Sequence, residues 1–326
     1  MATIGKMVGV SQVTVSRALS DPSKVSKSTL RLINEAIEAT GFVPNRIAGA
    51  LASQKSGLIT ALVPSITNLV YANLLHAFSN VMREQGYQIM VSETGFDLLD
   101  EEKLIATHLS RKPDGFLLTG IHHTDMSRRM LLNAYVPVVE FWDITETPID
   151  RCVGFSHYEA GVMVADFAVA AGYKKGATMT TADQRTGRRR DGFATRFEQL
   201  TGTPIVQINY PPGPATIGLG REVLRRLVDE HGFRNGLVFA SSDMFAHGLL
   251  IEASHRGLRV PEDIAVVGFG NQEFAADTEP SLTSVHVDRL ELGRMAAEAL
   301  LTKLNGDSDL ARVITLDYKI VRRKSA

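Results

Sequence analysis

From Gly57 onward the chain repeats one pattern, an apolar run of strand length followed by a longer stretch with helical spacing. Leu58 to Val63, Gln88 to Ser92, Gly115 to Thr119 and Val136 to Phe141 are separated by helical patterns near 70–85, 99–111 and 125–134. A second series holds Gly176 to Thr180, Pro204 to Asn209, Gly236 to Ala240 and Ile264 to Gly268, with helices near 187–200, 217–230 and 243–256. Strand, helix, strand order lays strands side by side in parallel, and a sheet covered on both faces needs continuously apolar runs. The expectation is α/β: two similar lobes with parallel sheets. Leu282 to Val287, a helix near 289–304 and two strands near 312–322 follow, with chain crossings between lobes near 154–157, 285–289 and 315–320. Ligands of open α/β sheets gather at the carboxyl ends of strands, so two facing lobes make a closing cleft.

The head reads differently, as three short helices near 2–8, 12–19 and 27–39. Gly9 supplies a tight turn, Ser11 an oxygen to cap the second helix, and Ser26 one for the third. The second helix is expected to turn Val13 and Ala18 or Leu19 inward, and the third to bury a face of Leu30, Leu32, Ile33, Ala36 and Ile37. Gly41 ends the third helix and Pro44 blocks a simple continuation. Residues 45–52 offer one or two helical turns, short of the ~12 to 15 residues that hold a helix in water, so a conditional helix is expected there. The expected division is a head over 1–40, a linker over 41–56, a first lobe from 57–155 and 288–315, and a second from 156–287 and 316–326.

Charge separates the same regions. The net charge of the 326 residues is −1, yet through residue 57 Lys6, Arg17, Lys24, Lys27, Arg31, Arg46 and Lys55 face only Asp21, Glu35 and Glu38. That gives +4 to the head and −5 to the rest, so a basic head can approach phosphates while the body stays off them. The single cysteine, Cys152, excludes an internal disulfide and fits a reducing, cytoplasmic setting. No signal core appears and no apolar run approaches the ~20 residues that cross a bilayer, so no membrane association is expected. P-loop, His-Glu-x-x-His, nucleophile-elbow and GxGxxG signatures are missing, and Gly218-Leu219-Gly220 is too little to count. An enzyme acting on sugars or phosphates therefore lacks support, Cys152 reads as a buried strand residue, and neither cofactor nor metal is expected. A solute-binding transport component shares the cleft but lacks such a head. No heptad tail follows Arg322 to support a coiled-coil tetramer.

Gly9-Val10-Ser11-Gln12-Val13-Thr14-Val15-Ser16-Arg17, continued by Ala18-Leu19-Ser20, then Gly41-Phe42-Val43-Pro44-Asn45-Arg46 and the two-lobe body together resemble the lactose/galactose repressor family over essentially the whole chain. Leu118 to Thr124, Pro137 to Glu140 and Gly268 to Phe274 look most like the gluconate-utilisation repressors within it. The resemblance implies a three-helix helix-turn-helix head, a two-lobe periplasmic-binding-protein-like body, and a homodimer on pseudopalindromic operator DNA. It implies repression relieved by a small effector, with a corepressor as the alternative. Ser11, Gln12, Val13 and Arg17 fall on the recognition helix, Gln12 and Val13 toward base edges and Arg17 toward a base or phosphate. The chemistry agrees, since glutamine pairs with adenine, arginine with guanine, and valine meets a thymine methyl. Thr14 and Ser16 position phosphate or cap backbone. The alternative for Val13 is a plain core residue of the head.

Asn45 to Ala52 match the family's hinge helix, with Leu51 as the minor-groove wedge and Ala48 and Gly49 small enough for two such helices to pack together. Leu51 as an ordinary linker residue is the alternative. Family members carry several residues, often basic, before the first helix, whereas Met1 to Gly5 already fall within it; either the first turn is missing or the helix is shortened, and loss of that turn would weaken phosphate anchoring and core packing of the head. In the effector cleft the resemblance and strand ends nominate Ser65, Asn68, Val70, Tyr71, Thr119, His123, Glu140 and Trp142, then Asp243 and Asn271. Arg189, three residues before Gly192-Phe193, matches the arginine that contacts effector in the family and suits a carboxylate. Ser156-His157 stands where an Asp-Asn pair is frequent, Ser241-Ser242-Asp243 lacks the usual asparagine, and Gly270-Asn271 lacks a frequent aspartate. Fewer carboxylates favour an anion, hence gluconate or a similar sugar acid, with a neutral sugar as the other reading. Three alternatives stay open: Arg188 to Arg190 as a solvated basic helix start, His122 and His123 as loop histidines, and Trp142 as a packing aromatic rather than a platform for a sugar. Leu51→Ala is expected to reduce operator affinity strongly and leave effector affinity nearly unchanged in parallel titrations; unaltered operator affinity removes the wedge role.

Overall fold

In the computed structural model, which describes residues 1–43, 55–181, 183–306 and 311–326, the chain divides into an N-terminal unit, Met1–Ser56, and a larger unit, Gly57–Ala326. The N-terminal unit holds α1 (Ala2–Val8), α2 (Gln12–Ser20) and α3 (Lys27–Thr40), with a 3-10 turn at Pro22–Lys24. Ser11 Oγ accepts from the Thr14 amide at 3.1 Å and Ser26 Oγ from the Thr29 amide at 3.2 Å, each capping its helix. Gly9 closes α1 in the left-handed conformation, and a Cβ on Gly5 would meet the Val10 carbonyl oxygen at 2.7 Å, so the turn folds back tightly on α1.

Ile4, Val15, Ala18, Ile33 and Ala36 form the core of this unit. Val15 takes the inward place expected of Val13, which is 58 % exposed. Val15, Ala18 and Leu19 share a helix face by their spacing of three and four, whereas Val13 lies two residues from Val15 and points away. Leu32 departs in the same way at 44 % exposure, beside a face built on Ile33, Ala36 and Ile37. The expected hinge helix, with Asn45, Ala48 and Leu51, lies outside the described residues.

Two six-stranded sheets carry the larger unit. Its strands are β1 (Leu58–Val63), β2 (Gln88–Glu93), β3 (Gly115–Thr119), β4 (Val138–Phe141), β5 (Arg151–Gly154), β6 (Gly176–Thr181), β7 (Val206–Tyr210), β8 (Gly236–Ala240), β9 (Ile264–Phe269), β10 (Thr283–Val287), β11 (Val313–Thr315) and β12 (Tyr318–Val321). Its helices are α4 (Leu69–Glu84), α5 (Leu98–Leu109), α6 (Asp125–Ala134), α7 (His157–Ala170), α8 (Gln184–Thr201), α9 (Ile217–Asp229), α10 (Asp243–His255) and α11 (Arg289–Leu304). The first sheet runs β11-β5-β4-β3-β1-β2, all parallel, and the second β12-β10-β9-β8-β6-β7, parallel except where β12 meets β10. Strands β3, β8 and β9 are buried at every residue, which is why they read as unbroken apolar runs. The chain leaves the first sheet after β5, returns after β10 into α11, which packs on α4, and passes from β11 into β12 at the end. Among the described residues no helix is long and apolar enough to cross a membrane.

Two elements were not expected from sequence. Helix α7 buries His157, Ala160, Gly161, Val164, Ala165 and Ala168, and its remaining positions are also largely apolar, which blurs the helical stripe. Strand β5 has only four residues, beginning with Arg151 and ending with Gly154. Strand β4 starts at Val138 rather than Val136, because Pro137 has no amide to donate and offers only its carbonyl to Phe116. Helices α7 and α8 cross at two glycines: a Cβ on Gly161 would lie 2.0 Å from the Arg189 carbonyl oxygen, and one on Gly192 2.0 Å from that of Tyr158. Gly192→Ala must push the helices apart and is expected to lower unfolding free energy by about 1–3 kcal/mol or more in urea titrations. Unchanged stability would contradict the crossing.

Candidate functional site

A cavity of about 290 Å³ opens at the carboxyl ends of both sheets of the larger unit. Ser65, Asn68 and Tyr71 reach it from the segment after β1, Trp142 from the end of β4, and Arg185 and Arg189 from α8 after β6. Ser241 and Ser242 follow β8, and Gln272 follows β9. Small-molecule sites run to about 300–1,000 Å³, so this one suits a small ligand.

Asp183 caps α8 by accepting from the Arg185 amide at 3.1 Å, and the helix then places Arg185 and Arg189 on one face, a turn apart. Arg189 is 5 % exposed and held on three sides. Its Nη1 donates to His157 Nδ1 at 2.7 Å, its Nη2 to the Ser241 carbonyl oxygen at 3.1 Å, and its guanidinium carbon lies 4.0 Å from the centroid of the Phe269 ring. His157 Nε2 donates to the Trp142 carbonyl oxygen at 2.8 Å, which leaves Nδ1 as the lone-pair side of a neutral imidazole. Burial, then the Arg189 charge, holds the His157 pKa well below its ordinary value, in keeping with that tautomer. Trp142 sits at φ 71, a left-handed conformation uncommon for an aromatic residue, and packs edge-on against Phe155 with centroids 5.2 Å apart.

Among the described residues no carboxylate lies within ion-pair distance of Arg189. Burial pulls its pKa down, to about 10, so it stays a cation at neutral pH. Arg185 is paired at Nε with Asp183 at 3.2 Å; burial opposes its charge, but Tyr71 and Asp183 outweigh that and raise its pKa. Burial likewise opposes the Asp183 charge, yet Arg185 and its amide keep that carboxyl below the usual carboxylate range. Among the described residues, four buried atoms on residues lining the cavity have no hydrogen-bond partner: Arg185 Nη1, Arg189 Nε, Ser241 Oγ and Gln272 Oε1. Buried polar atoms are nearly always paired, so this cluster of donors and one amide oxygen can take up a polar guest.

Other candidates sit elsewhere. Thr119 lines a smaller neighbouring cavity of about 160 Å³ and donates to the Leu62 carbonyl oxygen at 2.9 Å. His123 and Glu140 line neither cavity: the enclosed His123 ring lies 2.6 Å from Glu101 and 3.4 Å from Glu140, whose other oxygen accepts from the Ile149 amide at 2.6 Å. Asp243 and Asn271 also stand outside the lining. Asp243 accepts from Ser284 Oγ and the Gln272 amide, both at 2.6 Å, and Asn271 accepts from Arg323 at 2.8 Å; these bonds shape the loop that brings Gln272 in. Of three consecutive arginines only Arg189 turns inward, while Arg188 pairs with Asp143 at 2.8 Å and Arg190 with Asp191 at 2.7 Å. Sequence reasoning missed Arg185, Ser241, Ser242 and Gln272. The spacing of four between Arg185 and Arg189 was the available signal. Among the described residues no group of three or more His, Cys, Asp or Glu could hold a metal, and Cys152 is buried in β5.

In the N-terminal unit, α2 exposes Gln12, Val13, Ser16 and Arg17, while Thr14 is half-buried and its hydroxyl lies 2.9 Å from Ser11 Oγ. Two short polar residues are thus engaged at the helix start, and the outward face offers an amide, an apolar side chain, a hydroxyl and a cation.

Residues 1–45 match the family model described as bacterial regulatory proteins, lacI family, and residues 165–326 match a periplasmic binding protein-like domain. The HTH-type transcriptional regulator GntR of Pseudomonas aeruginosa is 34 % identical over 99 % of this chain and 94 % of its own length. The HTH-type transcriptional regulator IdnR of Escherichia coli is 31 % identical over 97 % of this chain and 95 % of its own. Among solved structures, a LacI-family transcriptional regulator from Silicibacter pomeroyi aligns with a TM-score of 0.92 at 32 % identity, covering 99 % of this chain and 97 % of that one.

The His123 cluster gives a pH signature. Burial disfavours its imidazolium, but the hydrogen bond to Glu101 and the attraction of Glu101 and Glu140 prevail and push its pKa up to about 9, against about 6.5 unfolded. A raised pKa in the folded state contributes stability that is complete below about 6.5 and lost as pH rises through about 9. Denaturation midpoints are expected to fall across that window, and His123→Gln to flatten the fall; an equal slope in both proteins counts against the clamp.

Proposed function

The chain belongs to the LacI family of DNA-binding transcriptional repressors, and from that membership we propose that a small sugar acid such as gluconate occupies its cavity and releases it from operator DNA. One observation carries the choice of ligand: among the described residues Arg189 is buried, charged and without a carboxylate within ion-pair distance, and its Nε has no hydrogen-bond partner. Arg185 and Asp183 balance one another, as do Arg188 and Asp143, so the site retains one positive charge for one carboxylate. Ser65, Asn68, Ser241, Ser242 and Gln272 offer hydroxyls and amides to a polyol chain. The likeness of Leu118 to Thr124 and Gly268 to Phe274 to gluconate-utilisation repressors points the same way. Matched relatives are transcriptional regulators, so the cavity is read as a sensor and not as an active site.

In the proposed mechanism Gln12 and Val13 meet base edges, Arg17 a base or phosphate, and Ser11, Thr14 and Ser16 fix the helix start and backbone contacts. Asn45, Ala48 and Leu51 form the hinge, and a homodimer in the cytoplasm sets two heads on one operator. The lobes divide as 57–155 with 288–315 and 156–287 with 316–326, and a ligand bridging them changes their relative angle. A coupling of ~1–3 kcal/mol moves operator affinity by about 5 to 150-fold. Calorimetry is expected to detect gluconate, with Arg189→Ala weakening it about tenfold or more. Gluconate should also lower operator affinity in anisotropy titrations. Tight binding of a neutral sugar with no acid binding overturns the reading.

A further inference from the structure

We infer that His123, which lines neither cavity, is a specificity-determining residue: as an imidazolium it cancels the charge of Glu101 in the cavity wall, so that Arg189 presents its own charge unopposed. This rests on the acid reading of Arg189. The smaller cavity shares Phe96, Asp183 and Arg185 with the larger one, so a charge on its wall acts on a ligand held at Arg189. Among the described residues three carboxylates line it, Asp97, Glu101 and Asp183. Asp183 is spent on Arg185, while Asp97 caps α5 through the Leu99 amide at 2.9 Å from an exposed position, where water and salt screen it. Glu101 is 6 % exposed, and among the described residues the cation within ion-pair distance of it is His123.

The two nitrogens of the enclosed His123 ring face one carboxylate each. Nδ1 lies 2.6 Å from Glu101 Oε1, and Nε2 lies 3.4 Å from Glu140 Oε1. A neutral imidazole would turn a lone pair toward one of them, whereas the imidazolium presents N–H to both. The raised His123 pKa agrees with the charged form. Glu140 cannot turn away: it is fully buried, its other oxygen accepts from the Ile149 amide at 2.6 Å, and Arg128 Nη1 approaches it at 3.9 Å. Glu102 is engaged by the Thr124 hydroxyl, and His122 is exposed. His123 and Arg128 thus offset Glu101 and Glu140, and the cluster adds no net charge to the wall. Without the imidazolium, Glu101 would stand as an uncompensated anion on the wall that includes Arg185 and oppose the acid that Arg189 attracts. The histidine acts from behind the wall and reaches no guest.

The test is calorimetry on the full chain with gluconate at about pH 7.5, where a carboxyl on a cavity wall is ionised, in the wild type, in His123→Gln, and in His123→Gln combined with Glu101→Gln. His123→Gln is expected to weaken gluconate about tenfold, and the added Glu101→Gln to restore it to within about threefold of the wild type. A merely structural role for His123 gives no rescue, because removing Glu101 rebuilds no contact. Unchanged affinity in folded His123→Gln, or a loss that Glu101→Gln does not restore, overturns the assignment while leaving the acid reading intact. Should the variants fail to fold, imidazole nitrogen NMR of the wild type decides: both His123 ring nitrogens protonated at about pH 7.5 is the expected result, and a neutral ring overturns the assignment. Absence of gluconate binding by the wild type overturns the acid reading and this assignment together.

Discussion

Arg189 carries an uncancelled positive charge in the interior because the groups that hold it are neutral. The Trp142 carbonyl fixes the proton of His157 on Nε2, the lone pair on Nδ1 then holds Arg189 Nη1, and the Ser241 carbonyl holds Nη2. Phe269 covers the guanidinium face. Each contact satisfies a donor or shields the plane, and none cancels the charge. An aspartate at position 157 would have paired with the arginine and removed the reason for an anion to bind. Burying an uncompensated cation is costly, and the proposed acid would offset the remainder by supplying the missing charge and acceptors.

The rest of the larger unit serves to hold that chain of contacts in register. Gly161 and Gly192 bring α7 and α8 to backbone contact, so His157 at the start of one helix and Arg189 on the other meet within hydrogen-bonding distance. Phe155, just past β5 of the first sheet, stacks on Phe269 of the second with ring centroids 6.0 Å apart, next to the arginine. Charges near the site are organised in pairs, Arg185 with Asp183 and Arg188 with Asp143, which leaves the unpaired member conspicuous.

Much of this was legible in the residues. Strands such as β3 and β8 are buried on both faces, and the three head helices carry caps at Ser11 and Ser26, so their patterns are unambiguous. Helix α7 was not, because a helix apolar on most sides has no stripe to detect. Val13 was misplaced since an apolar residue on a helix of nine positions can face either way, and only packing with Ile4 and Ile33 selects Val15. At the cleft, strand ends pointed to loops that line the cavity, but which side chain of a loop turns inward depends on partners distant in sequence. Asp243 is engaged by Ser284 and Gln272, so Gln272 rather than Asn271 lines the cavity. The pairing of His157 with Arg189, thirty-two residues apart, has no local signature at all.

Where the proposed acid weakens operator binding, operator DNA must by linkage weaken binding of that acid to the same degree. The most direct measurement is the structure of the gluconate complex. A carboxylate oxygen within about 3 Å of Arg189 Nε, with His157 still holding Nη1, is the expected result. A carboxylate directed to solvent, with Arg189 Nε left without an acceptor, would contradict it.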